Sequence, residues 1–196
     1  MKKINLGGQW KMREIGTEMW HEALVPGSVY ADLMRDGTMP DPFWRDNELE
    51  AFERMKSDYE YVRTFEADAA LMESEHILLR CEGLDTLARV SLNGREIGCA
   101  DNMHSTWEFD VKPFLQPGKN ELRVYFASPV LYAAEADRRS TAWESSDATP
   151  GFRHMRKVHC MFGWDWGPRL PDAGIWRDIA LVAWDGARLI SALITQ

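Results

Sequence analysis

The chain is poor in cysteine, has no basic run, and lacks the common catalytic signatures. Its three cysteines, Cys81, Cys99 and Cys160, lie far apart and cannot all pair internally. That fits a reducing compartment better than a disulfide-stapled secreted fold, and the three read as packing residues. A formal charge of −8 without any Lys/Arg cluster excludes nucleic acid and anionic membranes as partners, because both require clustered cations to displace counterions. No apolar run is long enough to cross a bilayer. Met1, Lys2, Lys3 and Ile4 begin like a signal peptide, but Asn5, Gly7, Gly8 and Gln9 interrupt before an apolar segment of the needed length forms. The expectation is a soluble, cytoplasmic protein. There is no phosphate-cradling Gly-rich loop, nucleophile elbow, His-Glu-x-x-His or Cys-x-x-Cys motif. His154, His159 and Cys160 are the only clustered soft ligands, at a spacing that matches no common metal site, so no metal and no cofactor is assigned.

What the chain does have is β-sheet patterning. At 196 residues and 45% hydrophobic content it is long enough for one large packed domain. Residues 59–66 and 77–81 carry β-forming side chains, and 87–92 alternate up to Asn93-Gly94, a pair whose tolerance of positive φ predicts a tight hairpin. Residues 107–111 alternate as well, and so do 122–126 after the turn at 117–120. Residues 175–184 read as one further strand, apolar on both faces near its end and therefore central. Helical signals are few. Ser28 can cap a short helix with Val29 and Leu33 stacked one turn apart and Gly37 as its stop. A second helix is expected from Asp46 or Asn47, presenting Leu49 and Phe52, and a third from Pro129 through Ala136. Short strands punctuated by turns, with helices confined to connections, indicate an all-β sandwich or jelly roll in one domain spanning residues 1–196. The last ten residues, 187–196, look like another strand cut off without a closing turn, as in a piece of a longer polypeptide; a final strand docked in the sheet fits equally.

Nine tryptophans are many for this length. Trp10, Trp107, Trp176 and Trp184 fall in strand patterns and are expected in the core, whereas Trp20, Trp44, Trp143 and Trp164 sit in loop-like segments where they can line a recess. The segment from Phe162 to Leu170 sets Asp165 between Trp164 and Trp166 and brackets the trio with Gly163 and Gly167. Glycines there open backbone angles closed to other residues, and Pro168 fixes the exit. A carboxylate beside an indole suits a sugar, whose apolar C–H face packs on the ring while its hydroxyls donate to the acid. In an extended strand Trp164 and Trp166 would share one face with Asp165 opposite, so Trp164 and Asp165 serve one ligand only if the chain bends. Trp166 is assigned to core or domain packing, and Arg169 to orienting the loop. Residues 40–48 either form a second wall or brace an interface. No two acidic residues can be placed as a catalytic pair from sequence, and Glu73, Glu75, Glu108 and Glu121 read as solvated.

Taken in order, Leu6-Gly7-Gly8-Gln9-Trp10, the segments 25–33 and 40–48, Gly83-Leu84-Asp85-Thr86-Leu87-Ala88, Leu92-Asn93-Gly94, Asp101-Asn102-Met103-His104, Arg156-Lys157, 163–170 and Gly174-Ile175-Trp176-Arg177 resemble the N-terminal sugar-binding domain of β-mannosidases in glycoside hydrolase family 2. The resemblance implies a galactose-binding-like jelly-roll β-sandwich, followed in the full polypeptide by immunoglobulin-like domains and a catalytic (β/α)8 barrel. It implies a retaining exo-β-mannosidase acting on terminal β-D-mannose of mannose-containing oligosaccharides, with Trp164 and Asp165 contributing substrate binding. Both catalytic carboxylates would lie in the barrel, leaving no catalytic residue in this chain, which alone is expected to be inactive. The alternatives are a non-catalytic carbohydrate-binding module, or a bracing domain of another family 2 glycosidase, a β-galactosidase or β-glucuronidase.

Overall fold

A computed structural model describes residues 1–140 and 143–195 of the chain. In chain order the elements are β1 (Lys2–Asn5), β2 (Gly8–Glu14), β3 (His21–Val25), α1 (Val29–Arg35), α2 (Glu48–Arg54), β4 (Tyr59–Ala67), α3 (Ala69–Met72), β5 (His76–Cys81), β6 (Leu84–Asp85), β7 (Ala88–Leu92), β8 (Arg95–Ala100), β9 (Trp107–Asp110), β10 (Gly118–Phe126), α4 (Pro129–Arg139), β11 (Phe162–Trp164), β12 (Gly167–Arg169), β13 (Gly174–Ile175) and β14 (Ile179–Trp184). A six-stranded sheet, ordered β3-β2-β4-β10-β7-β8, faces a four-stranded sheet, ordered β1-β14-β5-β9, and two short ribbons, β11-β12 and β13-β6, stand apart from both. This is the all-β sandwich that the alternating segments imply.

Strand alternation turns one side chain in two toward the space between the sheets. Trp10 and Met12 enter it from β2, Tyr59 and Tyr61 from β4, Val124 and Phe126 from β10, Ile77 and Leu79 from β5, and Ile179 and Leu181 from β14; all are in one cluster of buried residues. Burying each large side chain contributes on the order of 2–3 kcal/mol. Trp10 also donates its indole N–H to the Leu6 carbonyl at 2.8 Å, so its polar edge is satisfied inside. The β7-β8 hairpin turns at Asn93 and Gly94, with φ of 52° and 77° respectively, as its sequence predicts.

Several elements differ from expectation. Residues 175–184 do not form one strand, because β13 pairs with β6 whereas β14 pairs with β1 and β5. Between them the Trp176 backbone N–H binds the Gly83 carbonyl at 3.2 Å and its indole N–H binds the Met103 carbonyl at 3.2 Å, which break the run. Trp176 and Trp184 are half-buried and outside the core cluster, whereas the half-buried Trp107 packs against it. The turn at 117–120 is partly strand, since β10 begins at Gly118 and pairs with β4 along its whole length. Helix α2 buries Ala51 and packs the half-buried Phe52 against the core as expected, but leaves Leu49 exposed. Residues 187–195 join neither sheet, and Leu189, Ile190, Leu193 and Ile194 are exposed; Gln196 lies outside the described residues. The segment is held at its start by Arg188, which pairs with Glu108 at 2.7 Å and covers the Trp184 ring at 4.5 Å. Among the described residues no helix is long and apolar enough to cross a membrane.

Candidate functional site

Phe162 roots the candidate site. It is fully buried in a small cluster with Ala133 of α4 and Met155, and its carbonyl accepts the Thr149 N–H at 2.8 Å and the Thr149 hydroxyl at 3.1 Å. From that root β11 and β12 form a two-stranded hairpin in which Phe162 faces Arg169 and Trp164 faces Gly167. Asp165 and Trp166 are therefore the two residues of a tight turn, which supplies the bend that a shared ligand requires. Gly163 has φ +100°, and a Cβ there would lie 2.7 Å from Arg169 Cγ and 3.3 Å from the Asp147 carbonyl, so neither the angle nor the space accepts a side chain. Gly167, by contrast, does not occupy the left-handed region. Arg169 donates to the Asp147 carbonyl at 3.1 Å while its stem packs over Gly163, which makes it a brace of the hairpin.

Trp164 is 45% exposed and Trp166 81% exposed, so the assignment of Trp166 to a core is corrected: it stands at the turn tip, where no core packs. The two indoles meet edge to face with centroids 5.6 Å apart. Asp165 is exposed and makes no hydrogen bond or ion pair among the described residues, leaving both oxygens free to accept.

Across from the hairpin, Pro42, Phe43, Arg45 and Glu48 form the second wall of a recess of about 610 Å³. Residues 40–48 thus line the recess, and the exposed rings of Phe43 and Trp44 also leave them open to an interface with a later domain. Asp41 organises that wall, its carboxylate accepting the Phe43 N–H at 2.9 Å and its carbonyl the Asn47 amide at 2.8 Å. Phe43 and Trp44 are 74% and 63% exposed, and the Arg45 guanidinium lies 5.5 Å from the Trp44 ring centre. The recess thus combines free carboxylate, guanidinium and exposed rings, a donor and acceptor set suited to a polyhydroxylated ligand. Trp143 is also exposed but is not part of the recess lining. His159 accepts no special role here: its ring packs on Phe152 and its Nε2 lies 3.1 Å from the Met155 carbonyl.

At the two ends of the segment that carries the hairpin is a group of charges to which the sequence alone assigned no role. Lys157 is buried, and its ammonium donates to the Asp85 carboxylate and, at 2.7 Å, to the Asp172 carbonyl. Asp172 sits at the start of α1, its carboxylate accepting the Tyr30 N–H at 3.1 Å and the Ala173 N–H at 2.8 Å. Burial pushes the Asp172 carboxyl up to about 6, against the hydrogen bonds from Ser28, Tyr30 and Ala173 and the charge of Lys157. Burial likewise lowers the Lys157 ammonium, with Asp85 opposing. Because the folded state holds the Asp172 proton more tightly than the unfolded chain, this group adds stability as pH falls from about 6 to about 4, by up to about 3 kcal/mol, and loses it as pH rises through 6. In Asp172→Asn that rise is absent; urea midpoints at pH 4, 5, 6 and 7 that run parallel for the two proteins would contradict it.

Comparison with known proteins agrees with this architecture. A family model described as glycosyl hydrolase 2 galactose-binding domain-like matches residues 10–177. A β-mannosidase from Capra hircus is 35% identical over 93% of this chain, and a β-mannosidase B from Neosartorya fischeri 34% identical over 92%. The chain spans 22% of the length of each of these curated relatives. The crystal structure of a β-D-mannosidase from Dictyoglomus thermophilum superposes with a TM-score of 0.93 at 39% identity, over 97% of this chain and 23% of that one. An exo-chitosanase from Amycolatopsis orientalis shares the fold, with a TM-score of 0.68 at 16% identity. With the family model covering most of its length, the chain belongs to the glycosyl hydrolase 2 galactose-binding domain-like family.

Proposed function

We propose that this chain is the N-terminal domain of a retaining exo-β-mannosidase that removes terminal β-D-mannose from short oligosaccharides, and that its Trp164-Asp165 turn positions the sugar in a pocket completed by a downstream catalytic barrel. The observation that carries the reading is the hairpin itself, which presents one uncommitted carboxylate and one half-exposed indole at the rim of a two-walled recess. Relatives and a structural neighbour named as β-mannosidases along almost the whole chain support the choice of mannose. In this role Asp165 accepts hydrogen bonds from ring hydroxyls and Trp164 covers the apolar face of the sugar, while proton transfer and nucleophilic attack belong to the barrel. The domain alone is inactive. A cytoplasmic location accords with three free thiols at Cys81, Cys99 and Cys160.

Calorimetric titration of the isolated domain with mannose and manno-oligosaccharides tests the composite pocket. Two walls leave much of a hexose in water, so no measurable heat of binding is expected. Affinity in the millimolar range or tighter would favour a self-sufficient carbohydrate-binding module instead.

A further inference from the structure

The hairpin lies in the long connection between β10 and β14, and the part of it that carries the hairpin is an excursion from Arg156 to Asp172. At the exit, Arg156 forms a bridge with Asn102 and its carbonyl accepts the Met103 N–H at 3.0 Å. At the return, Asp172 is tied to α1 through the Tyr30 N–H, and the Gly174–Ile175 strand pairs with β6. The two ends of the excursion are joined by one side chain. Lys157 is completely enclosed, and its ammonium spans from the Asp85 carboxylate of β6 to the Asp172 carbonyl fifteen positions further along the chain. Between these ends the excursion is held by the short β11-β12 ribbon, the Met161 to Leu170 backbone bond at 2.8 Å, the Val158 N–H on the Met103 sulfur at 3.1 Å, the Arg169 bond to the Asp147 carbonyl and the Phe162 root.

A lysine stem that crosses a protein interior loses rotamer freedom and hydration. It is retained only where the ammonium finds charged and carbonyl partners, as it does here. An apolar residue of the same length would fill the space as well, so what the ammonium adds is direction: it fixes both ends of the excursion to β6 at one point. Lys157 does not line the recess.

We propose that Lys157 is a positioning residue for the Trp164-Asp165 turn, closing the neck of residues 158–171 so that the turn keeps a fixed aim over the recess. This rests on the sugar-positioning role given to Asp165 above only for its effect on turnover; the clamp itself is a statement about the hairpin. Lys157→Met removes the donor and keeps most of the stem's volume. Because it strands the Asp85 carboxylate in the interior, the neutral pair Lys157→Met/Asp85→Asn serves if the single variant does not fold.

Hydrogen exchange on the 196-residue chain is the first readout. Amides of β11, β12 and Leu170 are expected to exchange roughly tenfold faster in the variant, while those of β4 and β10 keep their rates. Unchanged hairpin exchange overturns the proposal, and so does an equal acceleration of hairpin and sheet, which would mark Lys157 as a general stabiliser. The second readout is a double-mutant cycle in the catalytically complete protein. The clamp variant is expected to lower kcat/KM for a β-mannoside roughly tenfold beside wild-type Asp165, and to have little further effect on Asp165→Ala. Additive losses would show that Lys157 acts on something other than the turn and overturn its positioning role. Selective loosening of the hairpin in a protein whose turnover is indifferent to Asp165→Ala would leave the clamp standing and remove the sugar-positioning reading.

Discussion

Replacing Asp165 by alanine in the catalytically complete protein is expected to lower kcat/KM for a β-mannoside roughly 10- to 200-fold while leaving the folding of this domain unchanged. A hydrogen bond to a charged group is worth about 1.5–3 kcal/mol, which converts to that range of rate loss. The two halves of the expectation come from one observation. Asp165 is exposed and has no internal partner, so the fold does not need it, and whatever it binds is outside the chain described here. Steady-state kinetics together with a thermal melt decide the matter: near wild-type kcat/KM takes Asp165 out of the site, and a lowered melting temperature assigns it a structural task.

The opposite pattern is expected three residues earlier. Phe162→Ala removes a fully buried ring from the cluster that joins the hairpin to α4 and takes away the neighbour of the Phe152 ring, whose centroid is 6.3 Å away. The cavity left behind costs about 3–5 kcal/mol, a lowering of the melting temperature by roughly 10 °C in a chain of this size. Trp166→Ala is the control: an equally aromatic side chain in the same hairpin, but exposed, and expected to stay within about 0.5 kcal/mol of wild type. Urea denaturation of both variants tests the contrast. A Phe162→Ala loss under 1 kcal/mol would mean that the root of the hairpin is not part of the cooperatively folded unit.

These expectations depend on features of unequal visibility in the sequence. The hairpin at Asn93-Gly94 was plain, because two residues tolerant of positive φ between alternating segments admit few other structures. So were the Ser28 cap, whose hydroxyl accepts the Ala31 N–H at 3.4 Å, and the Pro129 start of α4. Trp164 and Asp165 were singled out by glycines and indoles around one acid, and the structure exposes both at the rim of a recess. Trp166 is not in the core of this domain, because alternation only says which side of a strand a residue takes, and in a turn there is no such side; its exposure leaves the reading of packing against another domain open. The continuous run 175–184 was misjudged for a related reason: apolar content reports burial but not which sheet does the burying, and here two different partners divide the run.

Local pattern alone settled the class of this protein, since period-two hydrophobicity and turn residues act over a few neighbours and need no knowledge of the rest of the chain. It also picked out the acid and indole that stand at the rim of the recess. Only the tertiary structure decided that residues 40–48 stand opposite the hairpin, and that Lys157 lies inside, held by a carboxylate 72 positions before it and a carbonyl fifteen positions after it. A lysine is soluble by default, and nothing in its immediate neighbours says otherwise. Its burial follows from charges that the chain brings together only when the two sheets and their connecting ribbons have closed, which is why no local pattern marks Lys157 as an interior residue.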